Sequence, residues 1–194
     1  AVKKHVPALV PCISDTRSPM HYTAELAKKV DPDCVTVFIG PCLAKRREGL
    51  EDEFVDYVLS IEELGALLTA KEIDISKEEV LPGKITPTSS GRGFAASGGV
   101  AEAVRVRLKK PENLRPVLIN GLNKEGMKQL ASYGKIQSGE LPHDSSTPNL
   151  VEVMSCEGGC IGGPSVITNQ KLAASQLKKY ADEGLSYSRE KDLT

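Results

Sequence analysis

Tryptophan is absent from this 194-residue chain and aromatic residues make up only 4% of it, so the stacking platforms that single-stranded nucleic acid needs are missing. No charge of one sign dominates. The 25 Lys and Arg against 26 Asp and Glu leave a formal net charge of −1, which gives no global attraction to nucleic acid or to an anionic membrane. No apolar run approaches the roughly 20 residues of a membrane span, and no signal-peptide pattern opens the chain. Histidine is scarce: His5, His21 and His143 are scattered, with no CxxH or HxxxH among them. That leaves a tetrahedral zinc site with little support. What is present, 40% hydrophobic and 26% charged residues, is the composition of a soluble globular protein. The length suffices for one generous domain or two small lobes with a real core.

The five cysteines are Cys12, Cys34, Cys42, Cys156 and Cys160. An odd number in a chain of this size argues against a disulfide scaffold, so reduced thiols in a cytoplasmic protein are expected. Some would be small buried hydrophobes, as expected for Cys34, and others ligands or nucleophiles.

The stretch VKKHVPALVPCISDTRSP reads as loop, punctuated by Pro7, Pro11 and Pro19. Met20, Ala24 and Ala27 then fall at helical spacing, which predicts a helix over 19–30, closed at Asp31-Pro32. CVTVFIG (34–40) is apolar throughout and predicts a strand buried on both faces, delivering Pro41 and Cys42 at its carboxyl end. A strand over 56–60 is followed by Ser60 and Glu63, a capping box, with Leu64, Leu67 and Leu68 as the inner face of the next helix. Residues 71–97 are polar and rich in Gly and Pro, as in a crossing segment. A helix starts at GGVAEAVRVRL, with Val100, Val104 and Leu108 on one face. A buried strand (116–120), a helix (124–133) and a strand (150–154) follow, then a last helix after Gly163 and a frayed polar tail from Lys178.

Strand–helix units in two sets predict an α/β protein with two small, mostly parallel sheets flanked by helices. The expected division is a first lobe over 1–80, a crossing segment over 81–97, a second lobe over 98–180 and a tail over 181–194. Ligands collect at the carboxyl ends of parallel strands. Two strands here end in cysteines, one at Cys42 and one at Cys156, so both sets of thiols are expected to face one crevice between the lobes.

The stretch VEVMSCEGGCIGGP (151–164) brings two thiols four residues apart among Gly158, Gly159, Gly162 and Gly163. Thiolates are soft ligands for zinc, copper(I) and iron–sulfur clusters. Clusters tolerate irregular spacing, and glycine suits them because their sulfides accept backbone N–H bonds at close approach. A nucleophilic cysteine is the rival, but it needs a base, and sequence position suggests no Cys/His pair. A Cx3C pair alone does not decide between these.

Three longer stretches narrow the choice. GPCLAKRREG (40–49), VEVMSCEGGCIGGP and PALVPCISDTRSPM (7–20) are similar, in order, to motifs of the FeFe (iron-only) hydrogenase large subunit, C-terminal catalytic domain. SGGVAEAVR (97–105) resembles a helix start of the same family. The family's Met-Pro-Cys-x-x-Lys-x-x-Glu motif places Cys42, Lys45 and Glu48 in register. Its Glu-x-Met-Ala-Cys-x-x-Gly-Cys-x-x-Gly-Gly motif does the same for Cys156 and Cys160.

The resemblance implies an H-cluster: a 4Fe–4S cluster bridged by one cysteine to a 2Fe unit that carries CO, cyanide and a dithiolate. It implies the reaction 2H⁺ + 2e⁻ ⇌ H₂. Cys42, Cys156 and Cys160 would be metal ligands, with Cys160 bridging. Lys45 would donate to a cyanide, Met154 pack near the 2Fe unit, Ser14 belong to a proton path, and Glu48 partner a nearby charge. Gly40, Pro41, Ser155 and the four glycines would line the cofactor. Ferredoxin-like cluster domains and hydrogenase maturation proteins would be the partners. Against this stand plainer roles: Lys45 with Arg46 and Arg47 on a solvated face, Ser14 in a turn with Asp15, Met154 in a core, and Glu152 pairing with a backbone amide or a Lys.

The family's first motif, a cysteine pair followed by Pro and Trp, has no counterpart, and neither Cys12 nor Cys34 falls in its place. A chain that begins abruptly at Ala1 is therefore expected to be an excised piece of a longer protein, lacking one cluster ligand and inactive alone. Gly40 stands where the prototypes have Met, Ser155 where they have Ala, and Pro164 where they have Gly. Losing that Met is expected to open space beside the 2Fe unit. These departures resemble the sensory branch of the family, whose members report H₂ to attached signalling domains such as PAS. The alternatives are a hydrogenase-like assembly factor with 4Fe–4S clusters and no H₂ chemistry, or a plain α/β binding domain.

Overall fold

The computed structural model describes residues 1–79 and 87–186. The chain divides into two compact units. One comprises Ala1–Ser14, Lys84–Gly162 and Gln170–Thr194, and the other Asp15–Gly83 and Gly163–Asn169. Each contains one two-stranded parallel sheet with helices packed on it, so the α/β class with two small parallel sheets holds.

In chain order the helices are α1 (Val2–His5), α2 (Pro19–Val30), α3 (Ala44–Glu51), α4 (Ile61–Ala70), α5 (Ser89–Arg92), α6 (Gly99–Arg105), α7 (Lys124–Gln137) and α8 (Gln170–Asp182). The strands are β1 (Val37–Ile39), β2 (Tyr57–Leu59), β3 (Pro116–Asn120) and β4 (Leu150–Met154).

In the β1–β2 unit the strands pair in register from Val37 opposite Tyr57 to Ile39 opposite Leu59. Helix α2 buries Met20 and Ala24 against Val55, with Phe38, Phe54 and Val58 packed around them. Pro19 supplies the first turn of α2, where its missing N–H costs nothing. At α4 the expected capping box is present: Ser60 accepts the Glu63 N–H at 3.1 Å, and the Glu63 carboxylate accepts the Ser60 N–H at 2.8 Å.

Two polar anchors close this unit. His21 Nδ1 lies 2.7 Å from Asp52 Oδ2, with the Asp52 side chain only 2% exposed. The other Asp52 oxygen accepts the Phe54 N–H at 3.0 Å. Burial pushes the Asp52 carboxyl up, but the Phe54 N–H and His21 outweigh it and hold it below the usual range. Asp56 accepts from Lys28 Nζ at 2.8 Å and from the Thr36 N–H at 2.7 Å. The Lys28 bond, followed by those from Thr36, lowers its pKa to about 2.

In the β3–β4 unit the register runs from Pro116 opposite Leu150 to Asn120 opposite Met154. Ile119 is 1% exposed and packs with Leu130 of α7 and with Val6. An ideal Cβ on Gly134 would sit 2.4 Å from Val6 Cγ1, so this glycine lets the N-terminal segment press onto α7.

Several expectations need correction. Residues 34–40 do not form a strand buried on both faces: only Val37–Ile39 is extended, and Val35, Val37 and Ile39 are 67%, 46% and 40% exposed. With one neighbouring strand and a helix layer on one face, alternation replaces full burial. Strand 116–120 likewise alternates, Ile119 buried and Leu118 exposed. Residues 2–12 are not loop: they form α1 and a 3₁₀ helix over Pro7–Cys12, with Pro11 inside it. Their contacts put 1–14 with β3–β4 rather than with the first lobe. Leu67 is exposed, leaving Leu64 and Leu68, with Ile61, as the half-buried residues of α4. Helix α7 continues past 133 to Gln137, and α8 extends through Lys178–Asp182, where a frayed tail was expected. Residues 81–86 of the crossing segment and 187–194 of the tail lie outside the described residues.

Candidate functional site

The loop that follows β4 is held from three directions. Its base is set by the sheet: the Gly121 N–H donates to the Met154 carbonyl at 3.0 Å and the Leu122 N–H to that of Ser155 at 3.2 Å. Asn120, the last residue of β3, turns its side-chain oxygen to the Gly158 N–H at 2.7 Å. Gln170, the first residue of α8, donates to the Glu157 carbonyl at 2.6 Å. On the third side, Ala96 bridges to Gly159 and the Ser97 N–H donates to the Gly158 carbonyl at 3.2 Å.

Glycine is required at two consecutive positions here. Gly158 and Gly159 have φ of 81° and 83°, the left-handed region. An ideal Cβ on Gly159 would lie 2.6 Å from both the Ala95 carbonyl oxygen and the Ser97 nitrogen. Between Cys156 and Cys160, after Glu157, two consecutive glycines leave the backbone without side chains, and the turn is fastened on both edges. Cys156 is half-buried and Cys160 exposed, and none of the five cysteines is in a disulfide.

Beneath this loop sits Glu152, 6% exposed on β4. Its two oxygens accept the N–H groups of Gly98 and Ala101 at 2.7 Å each. The expected pairing with a backbone amide is what is found, and it fixes the Ala96–Ser97 strap relative to β4.

The other predicted residues gather at the carboxyl end of β1. Gly40 is buried, and its N–H donates to the Leu59 carbonyl at 3.0 Å. The Pro41 carbonyl accepts the Ser165 N–H at 3.3 Å, which brings the segment after Gly163 to this strand end. Cys42 is half-buried and opens the approach to α3. Glu48 on α3 takes the Lys45 ammonium on one oxygen and the Ser18 hydroxyl on the other, so it does partner a nearby charge. An ideal Cβ on Gly40 would stand 2.8 Å from Phe38 Cε1, so the aromatic ring lies where a side chain would start. Ser14 is exposed, and Met154 is half-buried at the end of β4.

Cys42 thus belongs to the β1–β2 unit and Cys156 and Cys160 to the β3–β4 unit. Among the described residues of either unit by itself, no three His, Cys, Asp or Glu side chains gather as metal ligands. No helix among the described residues is long and apolar enough to cross a membrane.

Asn120, Gln170 and Ser97 hold the loop but carried no functional expectation. For Asn120 the signal was a polar residue ending the apolar run PVLIN. Gln170 and Ser97 offered none, because their role depends on neighbours remote in sequence.

The site is a thiol pair in a glycine loop at the carboxyl end of a strand of a parallel-sheet α/β protein. Residues 1–164 match the family described as iron only hydrogenase large subunit, C-terminal domain, and the chain belongs to that family. It is 30% identical over 201 residues to the periplasmic [Fe] hydrogenase large subunit of Nitratidesulfovibrio vulgaris, covering 82% of this chain and 47% of that protein. It is 24% identical over 252 residues to the cytosolic Fe-S cluster assembly factor NAR1 of Kluyveromyces lactis, covering 96% and 54%. Its fold is similar to that of a variant of the [FeFe]-hydrogenase HydA1 from Chlamydomonas reinhardtii, with a TM-score of 0.64 at 22% identity, covering 98% of this chain and 66% of that one. The chain spans about half the length of these curated relatives, at 47% and 54%.

Proposed function

We propose that this chain belongs to a domain that holds an H-cluster and either catalyses or senses the reversible reduction of protons to H₂. The observation that carries the reading is the Cys156–Cys160 loop. Its two glycines at positive φ and its three-sided support hold two thiols, four residues apart, on one fixed turn. The donor set fits an iron–sulfur group: soft thiols rather than imidazoles, on a turn whose glycines leave room beside them.

Cys156 and Cys160 would hold the 4Fe–4S part together with Cys42, and Cys160 would also bridge to the 2Fe part. That group, when bound, supplies the redox chemistry of 2H⁺ + 2e⁻ ⇌ H₂. The chain's residues bind, orient and shield it. Lys45, oriented by Glu48, would present its ammonium to a cyanide, and Glu48 in turn is steadied by Ser18. Met154, at the end of β4, would supply an apolar wall, and Ser14 a hydroxyl for proton delivery. Gly40, Pro41 and Ser155, with Gly158, Gly159, Gly162 and Gly163, would let the backbone approach closely. Ferredoxin-like cluster domains would carry electrons, and maturation proteins would load the 2Fe part. Five thiols outside any disulfide suit a reducing compartment, and we place the protein in the cytoplasm. Gly40, Ser155 and Pro164 favour the sensory branch, with a signalling domain such as PAS as the receiver.

The likeness to NAR1 supports a second reading, an assembly factor with 4Fe–4S clusters and no 2Fe part. Lys45 and Met154 favour the first, since a protein without cyanide ligands has no use for the donor. Infrared spectra of the full-length protein, produced with hydrogenase maturation proteins, separate the two. Bands from CO and cyanide are expected. Bound iron and sulfide without those bands would make the assembly-factor reading the correct one.

A further inference from the structure

One buried group in the β3–β4 unit has no partner among the described residues and belongs to a residue that pairs with the thiol loop. The Ser97 hydroxyl oxygen is shut off from solvent and makes no hydrogen bond among the described residues. Its backbone is pinned on both sides: its own N–H donates to Gly158 at 3.2 Å, and the preceding Ala96 bridges to Gly159. The carboxylate of Glu152 fixes the next residue, Gly98, at 2.7 Å. The backbone at Ser97 is therefore held in place, and an orphaned buried hydroxyl is costly unless a ligand satisfies it.

We propose that the Ser97 hydroxyl donates a hydrogen bond to a sulfur of the iron–sulfur group held by Cys156 and Cys160, and so sets that group's reduction potential. The inference rests on the proposed function, because it needs the group in that loop. Sulfur is the chemistry that fits. The flanking residues supply two thiols, and a hydroxyl donor to thiolate or sulfide stabilises the reduced, more negative state. Alanine at 97 would remove the donor and leave the backbone pairing intact, whereas threonine would keep it.

The test is a redox titration, followed by electron paramagnetic resonance, of the full-length protein reconstituted with iron and sulfide. The relevant signal is the one lost in Cys156→Ser. Ser97→Ala is expected to move its midpoint to more negative potential at unchanged iron content, and Ser97→Thr to restore it. The iron-free Ser97→Ala protein is expected to melt at the wild-type temperature or above it, since the hydroxyl has no partner there. An unmoved midpoint in Ser97→Ala overturns this assignment alone, and so does a lowered melting temperature of its iron-free form. Absence of any Cys156-dependent signal in the wild type overturns the proposed function with it.

Discussion

The carboxylate of Glu152 accepts the Gly98 N–H at 2.7 Å from inside the β3–β4 unit, and its second oxygen takes Ala101 at the same distance. A charged side chain on an otherwise apolar strand thereby caps α6 and ties its leading strap to the strand that delivers Cys156. Negative charge is favourable at that helix end, and two charge-assisted bonds satisfy a carboxylate that is otherwise out of water.

Glu152→Ala would leave the Gly98 and Ala101 amides unpaired beneath the loop. The expected cost is about 2–4 kcal/mol, from two hydrogen bonds to a charged group less the relief of its desolvation. Denaturant unfolding measures it. Glu152→Gln keeps one acceptor and should fall between the variant and the wild type.

Gly159→Ala meets two obstacles at once, a φ of 83° and a Cβ 2.6 Å from the Ala95 carbonyl and the Ser97 amide. We expect destabilisation of about 2 kcal/mol or more, since left-handed strain and displaced backbone act together. Bound iron should fall with it. Gly139 also has positive φ, at 81°, but nothing lies within 4 Å of an ideal Cβ there. Alanine at 139 should therefore cost only the strain of its backbone and leave iron content unchanged, as iron analysis of both variants would read.

His21→Ala would strand Asp52, whose side chain is 2% exposed, without its closest partner. The expected loss is about 1–3 kcal/mol, the penalty for an under-satisfied buried acceptor. It should be read by unfolding. His21→Gln can restore a donor and should recover part of the loss.

Acid should loosen the β1–β2 unit through Asp56. Its folded-state pKa of about 2 lies below the ordinary 3.8. The folded state thus favours the ionised form, and the stabilisation is complete above about pH 4. It is lost as pH falls toward the folded value. Asp56→Asn should flatten the fall of melting temperature between about pH 4 and pH 2, read by circular dichroism. An unchanged slope would mean that the Lys28 and Thr36 contacts do not survive in solution.

Local rules made much of this architecture legible. The 3.6-residue spacing after Pro19, the Ser60–Glu63 box and the apolar runs ending at Asn120 and Met154 each depend on neighbours close in sequence. The thiol loop was visible for the same reason, since Cx3C among glycines is a local pattern. Burial was harder to read. The run 34–40 is apolar enough for a covered strand, yet only β2 flanks β1 and Val35 stays 67% exposed. The closeness of Phe38 to Gly40, 2.8 Å from an ideal Cβ there, was likewise not legible, because it depends on the ring's rotamer and packing. Ser97 and Gln170 were silent because their contacts to the loop span 61 and 13 residues of chain.

The central claim is that Cys42, Cys156 and Cys160 hold one iron–sulfur group. Iron and acid-labile sulfide, counted per protein after anaerobic reconstitution of the wild type and of each single Cys→Ser variant, test it most directly. Each of these three substitutions should abolish or sharply reduce the same cluster signal, while Cys12→Ser and Cys34→Ser leave it intact. A signal that survives in Cys42→Ser, or disappears in Cys34→Ser, would contradict the assignment.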